Sequence, residues 1–193
     1  LQELGQRISK RCDGLPLAIV VVSGLLSKRE KTRTWWNKVA ESVSTYVARD
    51  PTQCMDVLAL SYKHLPDHLK VCFIYFGAFP EDFEIPVSKL LKLWVAEGFI
   101  QQIGQETLED IAEEYLVDLV DRNLVIVAKK RANGRIKSCR IHDMLRDLCI
   151  REGVEENFLQ VIRGIPDRAS LTSIPNYCRR LCIHSHVLEF VSS

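Results

Sequence analysis

From Thr107 to Val120 the apolar residues fall at helical spacing, and beyond Leu124 that spacing ends. Leu108, Ile111, Ala112, Tyr115, Leu116, Leu119 and Val120 line one face of a helix, and Thr107 with Asp110 three residues on has the form of a capping box at its start. Leu124-Val125-Ile126-Val127-Ala128 and Ile136-Lys137-Ser138-Cys139-Arg140-Ile141 are strand-like runs joined through Asn133-Gly134. That dipeptide tolerates the positive φ a tight turn needs, so the two runs are predicted to form a β-hairpin. A one-sided helix followed at once by a hairpin has to bury both apolar faces against a shared core, which leaves few architectures open.

The residues before this switch are helical in period. Leu4, Ile8 and Cys12 form one stripe; Asp13-Gly14-Leu15-Pro16 breaks it and starts an apolar helix with Pro16 in its first turn. Trp35, Trp36, Val39, Ala40, Val43 and Val47 continue to about Arg49, where Asp50-Pro51 stops the pattern, so 1–50 reads as a small helical bundle. Met55, Leu58, Ala59 and Tyr62, then Leu69, Cys72, Phe73 and Phe76, then Leu90, Leu91, Trp94 and Val95 mark three more helices, the last closed at Gly98. Within the acidic loop Phe79-Pro80-Glu81-Asp82-Phe83 the Glu81-Asp82 pair reads as solvated, and the three tryptophans as core. Helices over 55–64, 66–76, 87–97 and 107–121 ahead of a hairpin match a winged-helix arrangement across 51–153. A helix from Asp143 and strands near 157–162 and 179–184 follow, the last in a proline-punctuated tail, so the fold class is mainly α.

Composition excludes more than it selects. Lys and Arg number 26 against 25 Asp and Glu, so no global charge excess argues for nucleic acid or for a basic partner. Seven cysteines and no N-x-[ST] site favour a reducing compartment, with thiols such as Cys72 and Cys149 acting as small core hydrophobes. The longest apolar stretch, Leu15–Leu26, is too short to span a bilayer. The first residues, Leu1-Gln2-Glu3-Leu4, show no signal pattern and read as the middle of a longer domain.

Three stretches together resemble the NB-ARC module of plant nucleotide-binding leucine-rich-repeat receptors. Cys12-Asp13-Gly14-Leu15-Pro16-Leu17-Ala18 is similar to its GLPL motif. Leu60-Ser61-Tyr62, Leu65-Pro66, Cys72 to Asp82 and Leu93 to Ile100 follow in the family's order, and Ile141-His142-Asp143-Met144-Leu145-Arg146-Asp147-Leu148 resembles its MHD motif with Ile141 in place of Met. The resemblance implies a first ARC subdomain over 1–50, a second over 51–153, and over 154–193 a linker into leucine-rich repeats. It also implies that Leu15 and Pro16 lie against the adenine and ribose of a nucleotide, and that His142 contacts the β-phosphate of ADP. Asp143, at the helix start, is expected to accept backbone N–H groups and to anchor His142; Asp143→Val is expected to bias the receptor towards its active, ADP-free state.

No G-x-x-x-x-G-K-[ST] loop is present, so ADP in the resting state and ATP in the active state are expected only with a separate phosphate-loop domain, and the chain is expected to be a switch part rather than an enzyme. The resemblance further implies intramolecular partners in that domain and the repeats, self-oligomerisation on activation, no nucleic acid, and a cytoplasmic location with membrane association or nuclear entry after activation.

Two rival readings come from local charge and ligand spacing. Lys129, Lys130, Arg131, Arg135, Lys137 and Arg140 make the hairpin basic, which fits a nucleic-acid-binding winged helix, yet the 87–97 helix offers only Lys89 and Lys92 to read bases. Cys178, Cys182, His184 and His186 offer four metal ligands, but at no standard zinc spacing, so no metal site is expected. No nucleophile–base pair or paired carboxylates stand out.

Overall fold

The computed structural model describes residues 1–12, 15–28, 30–47, 54–102, 104–163 and 180–184. The first three helices are α1 (Gln2–Arg11), α2 (Pro16–Ser27) and α3 (Arg33–Val47). Pro16 occupies the first helical position of α2, where its missing N–H would have no partner in any case. Ile8, Cys12, Ala18, Val22, Leu25, Trp35, Val39 and Val43 close the bundle core as their spacing predicts.

The winged-helix part runs α4 (Cys54–Lys63), α5 (Asp67–Ile74) continued by a 3-10 turn (Tyr75–Ala78), β1 (Ile85–Pro86), α6 (Val87–Ala96), α7 (Leu108–Asp121), β2 (Ile126–Lys130), β3 (Ile136–Arg140) and α8 (Asp143–Glu155). Trp94, Phe73, Phe76, Leu90, Ile111, Leu116 and Leu119 fill its core. Helix α4 serves both cores: Val57 and Leu60 face the bundle, Leu58, Ala59 and Tyr62 the winged helix. Packing therefore continues without a gap across the expected boundary near residue 50.

Two local expectations are refined, and the turn of the wing lies where it was expected. The hairpin's first strand begins at Ile126 rather than Leu124, because Asn123 turns left-handed (φ 59°) and the Leu124 N–H bonds back to the Leu119 carbonyl at 3.0 Å, so Leu124 and Val125 close α7. Gly134 (φ 82°) sits in the hairpin turn, where Arg131 N–H meets the Arg135 carbonyl at 2.8 Å. The two-residue strand β1, which the sequence presents only as a lead into a helix, pairs antiparallel with β3 and gives the sheet order β1-β3-β2. Pro86 is tolerated there because β1 is an edge.

The bundle is held on the winged helix by α2 and α7. Lys28 lies 2.8 Å from Asp118 and 3.0 Å from Asp121, and the Asn123 side-chain amide donates to the Val20 carbonyl at 3.1 Å. Beyond α8, β4 (Gln160–Arg163) pairs parallel with β5 (Leu181–His184). Arg49, where the third helical stripe was expected to end, and Cys178 and His186, weighed above and set aside as metal ligands, lie outside the described residues.

Candidate functional site

Ile141 is buried directly after β3, and this fixes the direction in which the chain turns into α8. His142 follows in extended conformation (φ −70°, ψ 141°) as the N-cap, and its Nδ1 accepts the Met144 N–H at 3.3 Å. The cap is thus the imidazole and not, as the sequence led us to expect, the Asp143 carboxylate. Asp143 occupies the first helical turn, where its charge complements the positive end of the helix, but among the described residues its side chain makes no capping hydrogen bond. An Nδ1 that accepts leaves the ring proton of the neutral imidazole on Nε2. His142 is exposed, and it stands at the end of a helix whose first N–H groups already favour an anion.

One turn along α8, Arg146 is 3% exposed, and its Nε donates to the Phe79 carbonyl at 2.7 Å. The guanidinium joins the Ile141–Leu148 stretch to the Phe76–Asp82 stretch, 67 residues apart in sequence. Arg146 had no assigned role in the Ile141–Leu148 stretch from spacing alone. The signal was available, since Arg146, Cys149 and Gly153 share one buried helical stripe and a charge there needs a partner. Gly77 is small for a similar reason: a Cβ would come within 3.1 Å of both Ile150 and Leu159.

Leu15 and Pro16 lie at the start of α2, the leucine half-buried against the bundle core and the proline exposed. Helices α2 and α8 both pack on α4, which places the Leu15–Pro16 and His142–Asp143 pairs on two elements braced by a third. Tyr62 of α4 donates to Glu156 at the far end of α8 at 2.5 Å.

The wing carries its cations as expected, though two are engaged: Lys129 pairs with Glu84 at 2.9 Å, and Arg135 reaches Glu113 at 3.5 Å. The Glu84 carboxyl is held below the usual range, first by the Ser138 hydroxyl and then by Lys129. Helix α7 precedes the wing as expected, and its surface bears Glu109, Asp110, Glu113, Glu114, Asp118 and Asp121 with no cation. Such a helix repels phosphate, which argues against a nucleic-acid groove. Among the described residues no group of three metal-ligating side chains occurs. Cys72 and Cys149 are buried with their thiols pushed up by desolvation, and Cys139 is pushed up to about 12 by the same cause, which fits their expected role as core residues.

Residues 78–149, which contain α6, α7, the wing and His142, match the winged-helix domain of disease resistance proteins. Over 187 residues the chain is 43% identical to the late blight resistance protein R1-A of Solanum demissum, covering 96% of this chain and 14% of that protein. The chain belongs to the disease resistance protein family. The putative late blight resistance protein homolog R1B-23 of the same plant matches to the same extent, 43% over 187 residues, with 96% of this chain and 14% of that protein covered. The homolog R1B-16 is 46% identical over 160 residues, 82% of this chain and 12% of that protein. This disease resistance chain therefore spans about a seventh of the length of the curated relatives it matches. Among its described residues no helix is long and apolar enough to cross a membrane.

Proposed function

We propose that this chain is the regulatory lid of an ADP/ATP-dependent switch in a plant immune receptor. The observation that supports it is His142: by capping α8 through Nδ1 it presents Nε2–H to solvent at a positive helix end, the geometry required to donate to the β-phosphate of ADP. Leu15 and Pro16 supply a rigid apolar edge for the adenine and ribose. Arg146 and Tyr62 hold α8 in place. A phosphate-loop domain of the same polypeptide supplies the remaining contacts to phosphate and magnesium, and hydrolysis, where it occurs, belongs to that domain. When ADP leaves, the lid loses its interactions, and a shift of a few kcal/mol is enough to move a two-state equilibrium towards ATP and self-assembly. The receptor works in the cytoplasm in this reading.

The test separates capping from phosphate contact. In the full receptor, His142→Asn keeps a cap acceptor but removes the imidazole N–H, and His142→Ala removes both. If the reading holds, both variants lose copurifying ADP at least tenfold relative to wild type. ADP retention by His142→Asn at the wild-type level would overturn it.

A further inference from the structure

In the β4–β5 pair each residue faces the one 21 positions further on, Gln160 opposite Leu181 and Arg163 opposite His184, and the strands are parallel. Parallel strands at that separation are the spacing of solenoid repeats, whose periods run roughly 20–29 residues in leucine-rich forms. A two-stranded parallel sheet is too small to stand alone. Gln160 N–H bonds to the Arg180 carbonyl at 2.8 Å, and the parallel pattern then turns the Cys182 and His184 N–H groups towards β4 and those of Leu181 and Ile183 towards the opposite edge. Leu181 is also 44% exposed, a large apolar side chain that β4 does not cover.

The residue that begins β5 is clamped. Arg180 Nε and Nη2 donate to Glu97 Oε2 at 2.8 and 2.6 Å, and its guanidinium lies 4.2 Å from the Phe158 ring centre and 5.0 Å from that of Phe99. Glu97 and Phe99 close α6, and Phe158 precedes β4, so one cation ties the strand pair to the winged helix by charge-assisted bonds and ring faces together.

We infer that β4 is the first rung of a repeat sheet, that the edge of β5 facing away from β4, uncovered among the described residues, docks the parallel strand of the next repeat of the same polypeptide, and that the Arg180–Glu97 clamp makes this sheet rigid with the winged helix. The inference rests on the receptor reading only for the existence of following repeats, and it places the start of the repeat sheet at Gln160, within the 154–193 stretch expected to lead into the repeats. A sheet anchored in this way transmits a displacement of the repeats directly to α6.

Hydrogen exchange by mass spectrometry tests it, comparing this 193-residue chain with the full receptor. The Leu181 and Ile183 amides are expected to exchange at least a hundredfold more slowly in the full receptor, while Cys182 and His184 are protected in both. Equal exchange of Leu181 and Ile183 in the two proteins would overturn the docking edge. In the full receptor, Arg180→Ala is expected to speed exchange across 160–163 and 181–184 at least tenfold, and Glu97→Ala does the same without altering either strand, which keeps the test readable if the first variant folds poorly. Wild-type protection in both variants would remove the clamp. Nucleotide is not part of any of these readouts, so loss of the ADP reading with protection intact leaves the sheet inference standing.

Discussion

Gly24 of α2 lies so close to Arg122 at the end of α7 that a Cβ on it would stand 2.1 Å from the Arg122 carbonyl oxygen. The obstacle is backbone and cannot rotate away. Gly24→Ala is therefore expected to push the bundle off the winged helix and to cost about 1–3 kcal/mol, despite the gain in helix propensity. Urea denaturation measures it; a stability equal to or above wild type would contradict this packing.

The ion pairs beside that contact predict a pH window. Burial pushes the Asp118 carboxyl up, but bonds from Lys28 and Arg122 outweigh it and hold the group below its ordinary range. Burial likewise lowers Lys28, and its bonds to Asp118 and Asp121 outweigh that and raise it. Asp118 contributes stability that is present above about pH 3.9 and lost as pH falls through its lower folded value; Lys28 contributes below about pH 10.4 and loses this as pH rises through its higher one. Both side chains are partly exposed, so Asp118→Asn should cost less than about 1 kcal/mol at neutral pH, fall further in salt, and flatten the acid limb of stability against pH. An unchanged acid limb would place the titration elsewhere.

Arg146 carries a heavier penalty. Arg146→Met leaves the buried Phe79 carbonyl without its Nε donor and is expected to destabilise by about 2–3 kcal/mol. Arg146→Lys keeps the charge but not the planar donor and should recover only part of it. Thermal melts of the three proteins check the order; a Met variant as stable as wild type would show that the bond contributes nothing net.

His142 should be separable from its neighbour by stability alone. His142→Ala removes the cap acceptor and is expected to cost about 1 kcal/mol, His142→Asn close to none. Asp143→Val removes only a first-turn charge, worth about 0.3–1 kcal/mol, so its stability loss is the smaller of the two. Chemical denaturation of the isolated chain provides the comparison. A larger loss at Asp143 would restore the carboxylate as the anchor of this turn.

Tyr62→Phe deletes the hydroxyl that ties α4 to Glu156 on the end of α8, with an expected cost of about 1 kcal/mol. Exchange at the C-terminal turn of α8 should quicken while α2 and α3 stay unchanged. A uniform change across the chain would mean that the bond is not local.

The sequence by itself determined the features that depend on near neighbours. Hydrophobic spacing placed the helices from Leu4 to Val120, Pro16 marked the start of α2, Thr107 capped α7 through the Asp110 N–H at 3.2 Å, and Gly134 marked the wing's turn. These are short-range effects, satisfied within one turn of chain. Order and spacing of the Gly14-Leu15-Pro16-Leu17 and Ile141-His142-Asp143 stretches likewise carried the family. Tertiary structure decided whatever required a partner distant in sequence. A two-residue strand such as β1 has no periodicity of its own and exists because β3 offers it hydrogen bonds. The cap of α8 fell to His142 because Ile141 is buried and sets the angle of entry, which no propensity records. The use of Arg146 at Phe79, of Gly24 at Arg122 and of Arg180 at Glu97 follows from helices and strands meeting across 67, 98 and 83 residues. Spacing within one segment cannot encode such meetings; burial of a shared core creates them.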